Sequence, residues 1–265
     1  MNKIALKITR LSKKIGKKLK GKENLYFCPV CNSNTRFNHF PYQSYFSEFY
    51  KHGFVHSPFL FETLNLNQYK CVLCRSSDRE RLISMFINRY ISENPDKELN
   101  LVEFAPKKPL QKFLKNKVNI NYRCADLSMK DVDDNVNITN MNSYSDNLFD
   151  MFICSHILEH IEDDEKAMQE LFRITKKNGT GLLLVPIMLS LSSTLENKDY
   201  LKTEHLRWKY FGQHDHVRMY SRDDFIHRLE RVGFKVKQLG QNYFGKEEFK
   251  KNGIDQRSIL YVVEK

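Results

Sequence analysis

Apolar and polar positions alternate along most of the chain at spacings that predict strands and helices in turn. Apolar runs predict strands over 99–105, 119–127, 136–141, 148–156, 179–188, 234–239 and 258–263. Apolar residues three and four positions apart predict helices over 108–115, 163–175 and 222–232. This order is typical of an α/β fold with a mostly parallel, doubly wound sheet.

The chain divides into three segments of different character. Residues 1–22 form a basic tail, residues 23–92 a small module with a linking helix over 76–92, and residues 93–265 the main domain. No apolar run approaches the ~18–20 residues of a membrane span. The first residues also lack the continuous apolar region of a secretory signal. We therefore expect a cytoplasmic protein.

The tail has an apolar stripe at helical spacing, and basic residues surround it. The stripe consists of Ile4, Ile8, Leu11, Ile15 and Leu19. A basic amphipathic helix binds anionic membrane surfaces, so the tail predicts peripheral contact with the inner face of the membrane. The alternative is a solvated basic tail, which Gly16 and Gly21 favour.

The net charge of +11 comes mainly from this tail. Nine of the 43 basic residues, and none of the 32 acidic residues, lie within 1–22. The body of the protein is therefore nearly neutral, unlike a typical nucleic-acid-binding domain. Nucleic acid is a less expected partner than the net charge alone indicates.

Two pairs of cysteines have the spacing of metal ligands. Cys28 and Cys31 form one CxxC pair, and Cys71 and Cys74 form the other. Two such turns present the four thiolates that a structural zinc ion prefers, so we expect a zinc-ribbon-like module. The insert between the pairs contains His39, His52 and His56, any of which could replace a cysteine. Buried free thiols are the alternative.

Two carboxylates are predicted at the carboxyl ends of neighbouring strands. Glu103 ends the first strand of the main domain, and Asp126 ends the next. Open α/β sheets bind nucleotides at this edge, where a carboxylate can accept hydrogen bonds from ribose hydroxyls. The alternative is a pair of solvated loop carboxylates.

The segment from Asp146 to Pro186 resembles the region between the fourth and fifth strands of class I methyltransferases. It contains the run FDMFICSHILEH, followed by an amphipathic helix and Gly179. The resemblance extends over residues 99–188 and includes Glu103 and Asp126. It implies a Rossmann-like, seven-stranded methyltransferase sheet and S-adenosylmethionine as cofactor.

The same resemblance implies a set of cofactor-binding residues. They are Glu103, Phe104, Ala105, Pro106, Asp126, Leu127, Thr139, Cys154, Ser155 and His156. The family usually has a Gly-x-Gly turn after the first strand, where this chain has Ala105-Pro106-Lys107. A subset of the family that resembles this chain has the sequence E-F-A-P at this turn.

Residues 203–220 contain the run FGQHDHVRMY, which resembles methyltransferases of bacterial glycan pathways. The resemblance implies a sugar hydroxyl as the acceptor, on a saccharide or a lipid- or nucleotide-linked glycan. The predicted substrate-binding residues are His160, Glu204, His214, Arg218 and Tyr220. We predict His216 as the catalytic base with Asp215 beside it, and His156 as the next candidate.

These observations favour an O-methyltransferase that acts on a sugar hydroxyl in glycan or surface-polysaccharide biosynthesis. One alternative is a ribosomal-RNA methyltransferase that uses the zinc module for recognition. Another is a catalytically inactive zinc-ribbon binding protein, because the turn at Ala105 lacks the usual glycines.

Overall fold

The computed structural model describes residues 26–265, so the predicted amphipathic tail over 1–22 lies outside the described residues. In chain order the strands are β1 (Tyr26–Cys28), β2 (Ser33–Thr35), β3 (Phe37–Asn38), β4 (Lys70–Cys71), β5 (Leu99–Phe104), β6 (Ile120–Asp126), β7 (Asp134–Asn135), β8 (Phe149–Ser155), β9 (Thr175–Leu184), β10 (Lys235–Leu239) and β11 (Leu260–Glu264). The last seven form one sheet in the order β10-β11-β9-β8-β5-β6-β7.

This arrangement confirms the predicted α/β fold with a mostly parallel, seven-stranded sheet. Strand β11 runs antiparallel to both of its neighbours, and the other pairs are parallel. The chain moves outward in one direction from β5 to β7 and then returns to β8 on the other side of β5. This reversal creates a crevice at the carboxyl ends of β5 and β8, where such sheets bind ligands.

Helices cover both faces of the sheet and extend over its edge. They are α1 (Tyr42–His52), α2 (Asp78–Glu93), α3 (Lys108–Lys115), α4 (Asp164–Ile174), α5 (Glu204–Phe211), α6 (Arg222–Val232), α7 (Gln241–Phe244) and α8 (Lys246–Lys251). Local sequence fixes several of their ends. Ser77 and Glu80 form a capping box at the start of α2, and Asp163 accepts a hydrogen bond from the Lys166 amide at the start of α4.

The central strands are buried on both faces, as their continuous apolar sequences predict. Leu101 and Val102 of β5 and Phe152 of β8 are fully buried. Gly181 of β9 pairs with Phe152, and a Cβ at this glycine would lie 2.0 Å from the Phe152 ring. Only glycine therefore allows β8 and β9 to pair at this position.

One predicted strand is wrong, and several helices were not predicted. No strand forms over 136–141: β7 is two residues long and ends at Asn135, and the Asn140 amide then donates to the Asn137 carbonyl in a tight turn. Strand β9 begins four residues earlier than expected and ends at Leu184. The unpredicted helices are α1, α5, α7 and α8.

The cysteine module packs directly on the sheet. Strands β1 and β2 form one antiparallel hairpin, and β3 pairs with β4 across the long insert. Cys28, Phe37 and Cys71 belong to the same apolar cluster as Leu82 of α2 and Leu101 of β5. The insert between the cysteine pairs is thereby held over the carboxyl edge of the sheet.

Arg81 joins the cysteine module, helix α2 and the C-terminal part of the chain. Its fully buried guanidinium donates to the carbonyls of Gln68, Tyr69, Ser76, Asn252 and Gly253. The guanidinium also lies 3.9 Å from the centre of the Phe37 ring. These bonds satisfy all three nitrogens of a buried charged group, which is otherwise costly to bury.

In the part of the chain that the structure describes, no helix combines the length and the apolar sequence needed to cross a membrane.

We expect Arg81→Lys to lower the free energy of unfolding by about 2–4 kcal/mol, because an ammonium cannot replace the five-fold donation of the guanidinium. Urea unfolding followed by circular dichroism measures this change. The matched control is Arg89→Lys on the same helix, where the side chain is exposed and the loss of stability should be much smaller. If the free energy of unfolding falls equally in the two variants, the role given to Arg81 is contradicted.

Candidate active site

A cavity of roughly 280 Å³ lies at the carboxyl ends of β5 and β8, in the crevice that the sheet topology predicts. Ala105 and His156, which follow these two strands, line its floor. Helix α1 and the segment after it form the roof with aromatic side chains. The roof residues include Tyr45, Phe46, Phe49 and Phe61. The cavity thus combines an apolar roof with a polar floor, as ligand sites usually do.

Both strand ends at the cavity floor have left-handed backbone conformations. Ala105 has φ of 48° and His156 has φ of 57°. Such conformations cost a residue with a side chain about 1–2 kcal/mol, and they concentrate at functional sites. At Ala105 this geometry makes the turn that glycines usually make, so the missing glycines do not prevent it.

Glu103 lies buried beneath this turn. One carboxylate oxygen accepts a hydrogen bond from the Tyr122 hydroxyl at 2.7 Å, and the other accepts one from the Lys107 amide at 3.2 Å. Burial raises the pKa of Glu103 to about 7, although both hydrogen bonds favour the charged form. Phe104 is buried beside it.

Asp126 ends β6, the strand beside β5, and it is not among the residues that line the cavity. Its Oδ1 accepts hydrogen bonds from the amides of Ser128 and Met129 at 2.7 Å and 2.8 Å. This local turn fixes the carboxylate and leaves Oδ2 to accept a hydrogen bond from a ligand. Leu127 is 68% exposed, and the Thr139 hydroxyl donates to Asn137. Together these residues offer an apolar surface and a carboxylate to a nucleoside.

Two cations in the cavity were not predicted as site residues. Arg79 of α2 and Lys107 of the turn after β5 both line it, and the Arg79 guanidinium donates to the Tyr69 hydroxyl. They suit the carboxylate of an amino-acid ligand. Their signal in the sequence is weak, because Arg79 lies in the linking helix, far from the strand motifs. The aromatic roof had a clearer signal: Tyr42, Tyr45 and Phe49 recur at helical spacing.

Glu159 is the most unusual polar group in the cavity. Its carboxylate is fully buried, and Oε2 has no hydrogen-bond partner among the described residues. His156 Nδ1 lies 3.0 Å from Glu159 Oε1, and His160 Nε2 lies 4.0 Å from the same oxygen. The His156 Nε2 atom is also buried and unpartnered within the described part of the chain.

Burial and the nearby Arg79 lower the pKa of His156 to about 4. Burial alone would raise the pKa of Glu159, but His156, His216 and His160 lower it to about 2. Near neutral pH the site therefore holds a charged carboxylate beside a neutral imidazole.

The predicted pairing of His216 with Asp215 is wrong. His216 is 6% exposed and lines the cavity, but its Nδ1 donates to the Phe211 carbonyl at 3.1 Å. Asp215 is 46% exposed, and its carboxylate lies 3.3 Å from His160 Nδ1. Asp215 lies in the turn after α5, and His216 is the first residue beyond this turn, so the two side chains separate.

Arg218 and Tyr220 lie beneath the cavity, where they support it. Arg218 donates to the carbonyls of Leu158, Ile161 and Glu162 and pairs with Glu196. The Tyr220 hydroxyl donates to buried Asp164. Their hydrogen-bonding groups are used within the protein, so the predicted contact of these two residues with an acceptor is replaced by a structural role.

The remaining predicted residues divide between the cavity and the surface. Ser155 and His160 line the cavity, and Cys154 is buried in β8 behind it. Pro106 is buried in the turn after β5. Glu204 begins α5 with an exposed side chain, and His214 is 58% exposed. The structure therefore gathers His156, His160 and His216 around Glu159, and it leaves Glu204 and His214 at the surface.

The four predicted metal-binding cysteines come together as expected, at a place separate from the cavity. The Sγ atoms of Cys28 and Cys74 are 3.7 Å apart, and those of Cys31 and Cys71 are 4.0 Å apart. All four Sγ atoms lie within 4.8 Å of one another. These separations are too long for disulfides, whose sulfurs are about 2.05 Å apart. His52 instead stacks on Trp208.

Comparison with known proteins identifies a family match over more than half of the chain. The model of a family described as a methyltransferase domain matches residues 76–239. Comparison with curated proteins gives no significant match.

The fold is also similar to solved structures at low sequence identity. An S-adenosylmethionine-dependent methyltransferase from Archaeoglobus fulgidus is 11% identical, with a TM-score of 0.44, over 72% of this chain and 95% of that one. The YcgJ protein from Bacillus subtilis is 12% identical, with a TM-score of 0.43, over 68% of this chain and 97% of that one.

The raised pKa of Glu103 predicts a pH-dependent stability. Between its ordinary value of 4.5 and about 7, the folded state binds a proton that the unfolded state has released. The free energy of unfolding should therefore fall as pH rises through this window, by on the order of 3 kcal/mol from this group.

In Glu103→Gln this contribution to the pH dependence should disappear. Denaturant unfolding from pH 4.5 to 8 measures it, and the matched control is Glu98→Gln, which replaces an exposed glutamate just before β5. If the wild type and Glu103→Gln show parallel pH profiles, the buried carboxyl group does not titrate in this window.

Proposed function

The chain belongs to the methyltransferase-domain family, whose methyl donor is S-adenosylmethionine, and from this premise we propose that it methylates a hydroxyl group of a saccharide. The observation that carries the proposal is the buried His156 Nε2 atom, which is unpartnered among the described residues. It lies in a cavity with an aromatic roof. Saccharides present alternating C–H faces and hydroxyl groups, which suit an apolar roof above a polar floor.

The residues around the turn after β5 fit the cofactor. Arg79 and Lys107 would hold the carboxylate of its methionine part. Asp126 Oδ2 would accept a hydrogen bond from a ribose hydroxyl. The exposed side chain of Leu127 would cover one face of the adenine, near Thr139. The left-handed turn at Ala105 allows the backbone to approach the ligand closely. When bound, the cofactor supplies an electrophilic methyl group on a sulfonium.

The acceptor oxygen needs a base, and the geometry favours His156 over His216. Glu159 lies 3.0 Å from His156 Nδ1, which favours the tautomer with its proton on Nδ1. His156 Nε2 is then an acceptor without a partner among the described residues, on a side chain that lines the cavity. When the bound donor supplies its methyl group to the acceptor oxygen, Nε2 would take the hydroxyl proton.

The near-neutral body of the chain supports a saccharide over RNA. A groove that follows an RNA backbone requires many basic side chains. The cavity has two such side chains among its described lining residues, Arg79 and Lys107. Both side chains would pair with the carboxylate of the methyl donor, so neither is left to bind an RNA phosphate. These features support the proposal of a role in glycan or surface-polysaccharide biosynthesis.

We expect His156→Asn to lower turnover by about 10²–10⁴-fold, the usual contribution of a positioned base. Asparagine tolerates the left-handed backbone at this position, so the fold should be preserved. Titration calorimetry should show cofactor affinity close to that of the wild type. His227→Gln, at an exposed position on α6, is the control and should keep full turnover.

The assay uses S-adenosylmethionine with a deuterated methyl group and surface-polysaccharide fractions from cells that lack the gene. Mass spectrometry should find the labelled methyl ether on a sugar. Label found in RNA instead of saccharide would overturn the acceptor class. Unchanged turnover in His156→Asn would overturn the assignment of the base, and the absence of any cofactor binding would support the inactive alternative.

We also propose that the four cysteines hold a structural zinc ion. A tetrahedron with zinc–sulfur bonds of 2.3 Å has sulfur–sulfur edges of about 3.8 Å, close to the observed 3.7 Å and 4.0 Å. The Ser76 hydroxyl lies 3.1 Å from Cys74 Sγ, and the Cys74 amide donates to Cys71 Sγ. Such hydrogen bonds stabilise coordinated thiolates. Four protein ligands leave no position for a substrate, so the role of this ion is structural.

The double variant Cys71→Ser/Cys74→Ser should lose one equivalent of zinc and several kcal/mol of stability. Inductively coupled plasma mass spectrometry and thermal unfolding measure these two quantities. Cys124→Ser is the control, because its hydroxyl can keep the hydrogen bond to Asp133 while the zinc content stays unchanged. Identical zinc content in the double variant and the wild type would exclude this site.

A further inference from the structure

We propose that Glu159, His160 and His216 form a second metal site, on the floor of the cavity, for a single divalent first-row transition ion. The inference that this ion holds the acceptor hydroxyl rests on the proposed function. The site itself rests only on the three side chains and their surroundings.

The donor atoms are already close together. One ligand atom from each of the three residues lies within 4.8 Å of the others. The two imidazoles come from different parts of the chain: His160 ends the single helical turn Leu158–His160, and His216 follows α5. Small side-chain rotations would bring all three donors to the 2.0–2.2 Å bond lengths of such ions.

The Glu159 carboxylate is the second and independent observation. It is 0% exposed, and its Oε2 accepts no hydrogen bond from any described residue. His156 Nδ1 lies 3.0 Å from Oε1, and His160 Nε2 lies 4.0 Å from the same oxygen. A buried carboxylate oxygen without a donor is costly unless a cation compensates it, so Oε2 is free to bind an ion.

Both imidazoles are already oriented as metal ligands. His216 Nδ1 donates to the Phe211 carbonyl at 3.1 Å, and His160 Nδ1 lies 3.3 Å from an Asp215 carboxylate oxygen. Metal-binding histidines usually donate their other ring N–H to a carbonyl or carboxylate in this way. The arrangement leaves Nε2 of each ring to bind the ion.

Arg218 fixes the two segments that carry these ligands. Its guanidinium donates to the carbonyls of Leu158 at 3.0 Å and Glu162 at 2.9 Å, on either side of Glu159 and His160. The Val217 amide, next to His216, donates to the Glu159 carbonyl at 2.9 Å. The ligand geometry is thus imposed by the backbone before an ion arrives.

Two imidazoles and one carboxylate leave coordination positions open, unlike the four cysteines. Three-ligand sites of this composition bind a further oxygen from water or substrate. Here the open positions face the cavity, where two neighbouring hydroxyls of a saccharide could bind the ion together. Binding would orient the acceptor oxygen and favour transfer of its proton to His156 Nε2. We therefore expect the protein to prefer acceptor sugars that have two adjacent free hydroxyl groups.

Manganese is a useful probe, because Mn²⁺ prefers oxygen ligands such as the Glu159 carboxylate, while the soft thiolates of the four cysteines select other metals. Mn²⁺ is titrated into the purified full chain, and free Mn²⁺ is measured by electron paramagnetic resonance. We expect one bound ion per chain. Glu159→Gln and His216→Gln should each raise the dissociation constant by at least about 100-fold, more than loss of an outer partner usually costs. Glu162→Gln, an exposed neighbour on the same turn, should bind as the wild type does.

Cofactor binding and saccharide methylation are measured on the same samples, so the two proposals can fail separately. If no Mn²⁺ binds, or if Glu159→Gln and the wild type bind it equally, the metal site is refuted even when methyl transfer is intact. If Mn²⁺ binds as expected but no saccharide is methylated, the site stands and the acceptor assignment fails. Loss of Mn²⁺ binding in Glu159→Gln with normal cofactor affinity supports the site.

Discussion

The Arg81 guanidinium makes the hydrogen bonds on which the rest of the molecule depends. Its five acceptors come from the end of the insert, the turn before α2 and the segment after α8. A buried cation of this kind needs all its donors satisfied, so these three chain segments can only assemble together. The cysteine module is therefore fixed on the sheet, and its insert becomes the roof of the cavity.

A second buried arginine organises the floor of the cavity in the same way. Arg218 bonds the carbonyls around Glu159, and its neighbour His216 faces Glu159 from the other segment. Both arginines act mainly on backbone carbonyls, so each of them fixes chain geometry and not only a pair of side chains. One arginine positions the roof, and the other positions Glu159 and His216 beneath it.

The sequence predicted the sheet well because its strands are continuous apolar runs between helices of clear periodicity. The short strand β7 and the turn at Asn137 escaped prediction, since apolar content alone does not separate a buried turn from a strand. The strand-end carboxylates and the four cysteines were identified from local motifs. The Arg79 cation, the pairing of His160 with Asp215 and the burial of Arg218 depend on contacts between distant segments, which a single sequence does not contain.

The proposed zinc ion would also close the roof segment into a ring. Residues 32–70 lie between Cys31 and Cys71, and an ion across the four thiolates would tie the two ends of this segment together. By the loop-closure relation for cross-links, joining the ends of about 40 residues removes on the order of 4 kcal/mol of entropy from the unfolded chain. Such a tether would act on the disordered ensemble more than on the folded state. It would thereby stabilise an aromatic roof in which α1 is the main regular element.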